Sequence, residues 1–239
     1  MLRTLFVLFI SITCIPLSQA QKWKTIRGEG EVVKQTLNVE SFDGVSLGFH
    51  GDIYITQGST QKVEVEAQQN VIDNIKLEVR NGTWRVNFKD NVKNAKPVNV
   101  YITMPHLTEA SVSGSGNLIS TGKFTGVEHL STAVSGSGNV RVEVNAKSVD
   151  GAISGSGKIE LKGSASSMDL AISGSGSIYA VDFEVEMVEI AISGSGNAKV
   201  FATESIVAAI SGSGNVRYKG DAAKVKARVS GSGKVRELD

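Results

Sequence analysis

"ASVSGSGN" at residues 110–117, "TAVSGSGN" at 132–139, "GAISGSGK" at 151–158, "LAISGSGS" at 170–177, "IAISGSGN" at 190–197 and "AAISGSGN" at 208–215 decide the fold. A seventh Ser-Gly-Ser-Gly follows at residue 230, so the tetrapeptide starts at 113, 135, 154, 173, 193, 211 and 230, at intervals of 22, 19, 19, 20, 18 and 19 residues. Self-similarity at such a period marks a solenoid. Between the tetrapeptides, apolar and polar residues alternate at period two rather than 3.6, which is strand spacing. The residue before each tetrapeptide is β-branched in all seven copies: Val112, Val134, Ile153, Ile172, Ile192, Ile210 and Val229. Four residues earlier stand Thr108, Leu130, Val149, Met168, Val188, Ile206 and Val225. Two places after the last glycine stand Leu118, Val140, Ile159, Ile178, Ala198, Val216 and Val235. These columns are expected to face inward, while Glu109, Ser131, Asp150, Asp169, Glu189, Val207 and Lys226 face solvent.

Each repeat therefore holds two short strands joined by two corners. The tight corner falls on Ser113, Gly114 and Gly116; Ser135, Gly136 and Gly138; Ser154, Gly155 and Gly157; Ser173, Gly174 and Gly176; Ser193, Gly194 and Gly196; Ser211, Gly212 and Gly214. Glycine supplies the positive φ of a tight turn, and the stacked serine hydroxyls are expected to bond neighbouring backbone. A looser corner such as "VNAKS" or "KGSASS" absorbs the variation in interval. Coils stacked about 4.8 Å apart make a column on the order of 30 Å long. The expected fold is all-β: a two-faced β-solenoid, a right-handed parallel β-helix of about 19–20 residues per coil.

Residues 1–20 read as a secretory leader, with Arg3, an apolar run from Leu5 to Ile12, and Ser18-x-Ala20 before the cleavage point. Cys14 is the sole cysteine; lipidation there competes with plain cleavage after Ala20, and the preceding Ser11, Ile12 and Thr13 fit lipidation poorly. Residues 21–38 are an N-terminal extension, and 39–239 form one solenoid domain, divided into leading strands (39–105) and repeats (106–239). In the leading part "RNGT" at 80–83 signals a hairpin, and the strands are expected to cap the first edge of the core, with a separate domain as the alternative. Arg228, Lys234, Arg236, Glu237 and Asp239 crowd the last coil, as expected of charges that discourage strand addition, with an ordinary polar C-terminus as the alternative. With 25 Lys plus Arg against 24 Asp plus Glu, no global field points to nucleic acid. No later segment is long and apolar enough to span a bilayer. The expected destination is across the inner membrane, to the periplasm, cell surface or exterior.

"FDGVSLGFHGDIYITQG" at 42–58, "YITMPHLTEASVSGSGN" at 101–117 and the later turns resemble the putative auto-transporter adhesin family with the head GIN domain, found mainly in Bacteroidetes. The resemblance covers roughly residues 39 to 236. It implies a β-helix similar in outline to pectin lyases, with the Gly-Ser motifs at the tight turn, and an adhesin role. It brings no catalytic residues.

No catalytic residue, cofactor or metal is expected from the residues themselves. Asp150 and Asp169 should be neighbours in the stack, yet Ser131, Val207 and Lys226 interrupt their column, so a wet acidic face is the better reading than a cation site. His50, His106 and His129 lack metal-ligand spacing, and equivalent turn serines lack a base. Asn117, Asn139, Asn197 and Asn215 form a ladder broken by Lys158 and Ser177. Two surface features stand out. Ala133, Ala152, Ala171, Ala191 and Ala209 stack on successive coils, and alanine is a poor strand former on an open face. Close approach by a second copy or a covering segment explains the column; so does a lack of room. Tyr179, Val181 and Phe201 form a candidate aromatic patch for a sugar or protein contact, unless a different register buries Phe201. The leading reading is a non-enzymatic exported protein presenting a rigid face to a surface protein, a glycan or a second copy; the alternative is a carbohydrate-binding or polysaccharide-lyase-like module using an outer sheet.

Overall fold

The computed structural model describes residues 24–238; the leader, with Cys14, lies outside the described residues. The strands Asn117–Gly136, Asn139–Gly155, Lys158–Gly174, Ser177–Gly194 and Asn197–Gly212 each run through nearly a whole coil. They pair parallel and in register, so that Val134, Ile153, Ile172, Ile192 and Ile210 form one column. All five are at most 3% exposed. Burying one such side chain contributes about 1.5–3 kcal/mol, so the column is the spine of a β-solenoid core. Varying intervals are absorbed by register shifts at Ile119/Lys123, Phe124/Val127, Glu160/Lys162, Ala180/Glu184 and Val185/Met187, all on the side of the coil away from the tight corner.

Three positions of the expected inward columns are exposed. Thr108 donates from its backbone and its hydroxyl to Asp43 O in a crossover, and Leu107 takes the buried place. Val225 and Val229 are 40% and 43% exposed because their strand, Lys224–Gly231, packs on one neighbour only. A further inward column lies between the first two expected ones: Ala110, Thr132, Gly151, Leu170, Ile190 and Ala208. Its members compensate in size. A Cβ on Gly151 would lie 2.7 Å from Leu170 Cδ2, and buried Thr132 satisfies its hydroxyl by donating to Asp150 O at 3.0 Å.

The tight corners are closed by backbone, not by serine side chains. Ser137, Ser156, Ser175, Ser195, Ser213 and Ser232 N–H donate to the first corner glycine of the preceding coil at 2.9–3.0 Å. No hydrogen bond from a corner serine hydroxyl is found among the described residues, so the expected side-chain bonding gives way to these amides. The first glycine of each corner has φ between +116° and +139°. The second is a packing glycine: a Cβ on Gly176 would lie 2.4 Å from Ile153 Cγ2. The interrupted ladder forms as expected, with Asn139 donating to Asn117 at 2.7 Å and Asn215 to Asn197 at 3.1 Å, and it continues to Asp52, which accepts from Asn117 at 2.6 Å.

At the other end the leading strands share the same buried cluster. Gly44–Leu47 pairs with Glu109–Gly114, and Asp52–Gln57 with Asn117–Gly136, both parallel. Outside this coil lies another, made of Thr83–Val86 and Asn99–Met104. Spatial order thus departs from chain order. Arg80-Asn81-Gly82-Thr83 is the expected hairpin, with φ +52° and +76° at its centre. The stack is then closed by antiparallel strands: Lys62–Gln68 pairs with Asn99–Met104 and, on its other edge, with Val32–Leu37. The extension therefore supplies strands of its own, Thr25–Arg27 and Val32–Leu37. Trp84, fully buried, anchors the cap, its indole N–H donating to Lys76 O at 3.0 Å.

Candidate contact face

The segment before each tight corner turns alternate residues outward, and in-register stacking converts them into straight columns. Ala133, Ala152, Ala171, Ala191 and Ala209 stack in one of them, followed by Arg228. All but the half-buried Ala133 are exposed. On one side stand the corner serines, and between these and the alanines runs an apolar groove of ≈ 800 Å³ that ends at Arg228, Val229 and Ser230. On the other side stand Asp150, Asp169 and Glu189, each opposite the next. A smaller groove of ≈ 440 Å³ lies between them and the alanines. The alanines are thus a low floor between a hydroxyl wall and a carboxylate wall.

Charge is sorted along the axis. The same columns carry carboxylates at Asp150, Asp169 and Glu189 and then, one coil after Val207 and Ala209, the cations Lys226 and Arg228. Met187 and Val207, at 47% and 42% exposed, add apolar surface at this junction.

The aromatic side chains on the opposite run of the coil are half-buried. Tyr179 lies between Lys158 and Lys199, whose ammonium groups are 5.2 Å and 5.5 Å from its ring centroid. Phe201 carries Lys219 at 5.5 Å. Val181 lines a small hollow with Tyr179, Glu160 and Asp182. Lysines pack over these rings, where an open stacking platform would leave them bare.

Register also assembles a group that no spacing within one repeat shows. His129 stands opposite Ser148, its Nδ1 2.9 Å from Ser148 Oγ and its Nε2 3.5 Å from Asp150 Oδ2. These are the residue types of a nucleophilic triad. However, the imidazole and the carboxylate are about half exposed, and the surrounding strands are paired residue by residue, so their amides are committed to the ladder rather than to an oxyanion. The 19-residue offset from His129 to Ser148 is the signal that would have found the group.

Three experimental structures are similar across almost the whole chain. A putative adhesin from Bacteroides fragilis NCTC 9343 is 26% identical, with a TM-score of 0.83 over 89% of this chain and 100% of that one. A putative adhesin from Parabacteroides merdae ATCC 43184 is 27% identical, with a TM-score of 0.72 over 90% and 99%. A putative lipid binding protein from Parabacteroides distasonis ATCC 8503, 24% identical with a TM-score of 0.73 over 90% and 100%, shares the fold. No curated protein matches the chain. Residues 41–222, which hold the leading coils and six of the seven tight corners, match the family described as "Putative auto-transporter adhesin, head GIN domain", and the chain belongs to that family.

Proposed function

We propose that this is an exported, non-enzymatic adhesin-type protein whose alanine-floored sheet is a rigid contact face, and that a second copy of the chain is the occupant it fits. The carrying observation is the five-coil alanine floor between a carboxylate wall and a serine wall. Large side chains there would insulate the sheet, whereas alanine lets a second flat surface approach closely. Charge gives the orientation. With two copies antiparallel, the coil of Lys226 and Arg228 of one lies over the end of the other's stack beside Asp150, whereas a parallel pair would set cation over cation. The face measures about 25 Å along the stack and about 20 Å across, from strand spacing and two-residue column spacing. That is about 1,000 Å² over both copies, the lower bound of a specific interface. Pairing leaves the outer runs of both solenoids free to meet another surface, as adhesion requires.

Light scattering and sedimentation on the mature chain test the reading. A dimer is expected at about 100 μM, and Ala171→Arg, which places a long cation in the floor, is expected to yield a folded monomer with an unchanged circular dichroism spectrum. A parent protein that is monomeric at that concentration refutes the self-contact.

A further inference from the structure

Seven tight corners are written Ser-Gly-Ser-Gly, but the coil that precedes them has a corner of a different composition. Leu47 is paired with Val112 and Asp52 with Asn117, so Gly48-Phe49-His50-Gly51 occupies the place of Ser113-Gly114-Ser115-Gly116. The equivalence extends to bonding, because Asn117 N–H donates to Gly51 O at 2.9 Å just as Asn139 N–H donates to Gly116 O at 3.0 Å. In the next coil outward, Val86 pairs with Leu47 and Asn99 with Asp52, so the four-residue corner is replaced there by residues 87–98. The long corner swings away from the short one. Between them opens a cleft of ≈ 870 Å³, within the size range of small-molecule sites.

The chemistry of its walls is not that of a turn. Phe49 and Phe88 are half-buried in contact with each other, ring centroids 4.4 Å apart. Around them stand carboxamides: Asn87, Asn91, Asn94, Asn99 and Asn117 all line the cleft. Asn87 lies so close to Gly48 that a Cβ there would be 2.8 Å from its Nδ2, so glycine at 48 makes room for the amide. Asp52 lines the cleft and accepts from Asn117 on Oδ1 at 2.6 Å, while no hydrogen bond to its Oδ2 is found among the described residues. The charged side chains are Asp52 and Asp90 against Lys76 and Lys96, two of each sign, and Lys96 is held by Glu31 at 3.0 Å.

We infer that this cleft is a binding site for a neutral saccharide. Balanced charge disfavours a phosphate or other anion, which calls for unopposed cations. Carboxamides and carboxylates offer paired donors and acceptors to vicinal hydroxyls. Phenyl rings offer an apolar face for the C–H surface of a pyranose. The corner that takes the place of Ser-Gly-Ser-Gly carries Phe49, which with Phe88 packs partly against the core and leaves the rest of each ring on the cleft wall. The site is separate from the alanine floor, so its test does not depend on self-contact.

The purified mature chain, applied to an array of neutral and acidic oligosaccharides and then titrated calorimetrically with the strongest neutral hit, is expected to bind with Kd of about 10 μM to 1 mM. Asp52→Asn, which keeps the shape and loses the charge-assisted acceptor, and Phe49→Ala are each expected to weaken binding about tenfold or more. Ala171→Arg is expected to leave it unchanged. Unaltered thermal melting of Asp52→Asn separates loss of recognition from loss of fold. The inference is overturned if no neutral saccharide binds at about 10 mM, if binding is confined to sulfated or uronic sugars, or if it survives both cleft substitutions.

Discussion

Replacing Gly176 by alanine tests how the corners work. A Cβ at this position would lie 2.4 Å from Ile153 Cγ2 and 2.8 Å from Gly157 O. Neither neighbour yields easily. Ile153 is a β-branched core residue with restricted χ1, and the Gly157 carbonyl is engaged by Ser177 N–H at 3.0 Å. Overpacking of this kind costs about 1–3 kcal/mol. Gly174→Ala fails for a different reason: φ is +116° and the new Cβ would lie 2.6 Å from Gly155 O, so backbone strain of about 1–3 kcal/mol adds to the contact. Gly122 is the control. It has ordinary φ and nothing within 4 Å of its Cβ position, and Gly122→Ala is expected to be neutral or to stabilise by up to about 1 kcal/mol. Urea unfolding followed by circular dichroism should therefore separate Gly176→Ala from Gly122→Ala by about 1–4 kcal/mol at similar slope. Coincident curves, within about 0.5 kcal/mol, would refute the assignment of the second corner glycine to close packing.

Ile192→Ala, in mid-column at 3% exposure, is expected to cost about 2–5 kcal/mol in the same urea assay, and a loss below about 1 kcal/mol would show that the column collapses around the gap. At the cap, Tyr101 donates its hydroxyl to Glu66 at 2.9 Å, and this bond, with some burial, raises the phenol above its ordinary 10.0. A phenol raised on folding contributes stability that is whole below pH 10.0 and is lost as pH climbs through its folded value. Tyr101→Phe should therefore be less stable than the parent at pH 8, with the gap closing above pH 10.0; a gap constant with pH removes Tyr101 as the titrating group.

The repeat was legible because a solenoid states its register in the sequence. Once the residue before each tetrapeptide is placed inward, the alternation fixes the neighbours, and the alanines and carboxylates fall into columns without further information. The first coils were not legible in the same way. Gly48-Phe49-His50-Gly51 shares only its last glycine with the later corners, and its partner corner at 87–98 shares nothing, so their equivalence appears only through the pairing of Asp52 with Asn99 and Asn117. Nor could chain order reveal that Thr83–Met104 lies outside Gly44–Gln57, since that follows from a crossover carrying Thr108 past Asp43. The further inward column escaped for another reason. Its members include Thr132 and Gly151, residues that do not announce a core, and only the size match between Gly151 and Leu170 makes the position buriable.

Repetition and exception do different work in this molecule. A corner that recurs unchanged at seven heights cannot position a ligand at one of them, because each copy presents the same glycine backbone and exposed hydroxyls; it can only align what lies between corners. Its product is therefore extended: a flat alanine floor whose length follows from the number of coils and whose polarity follows from which coils carry Asp150, Asp169 and Glu189 and which carries Arg228. A localised site needs a break in the repeat, and the chain breaks it where the antiparallel cap begins and two corners need not match in length. Phenylalanine, histidine and asparagine gather at that mismatch, where the flanking strands are held by their ladders and the corner residues, though Phe49 and Phe88 also pack on the core and Asn117 extends the ladder, can vary from the repeat. On these grounds we propose the extended face for a partner of matching length and the cleft for a small polar ligand.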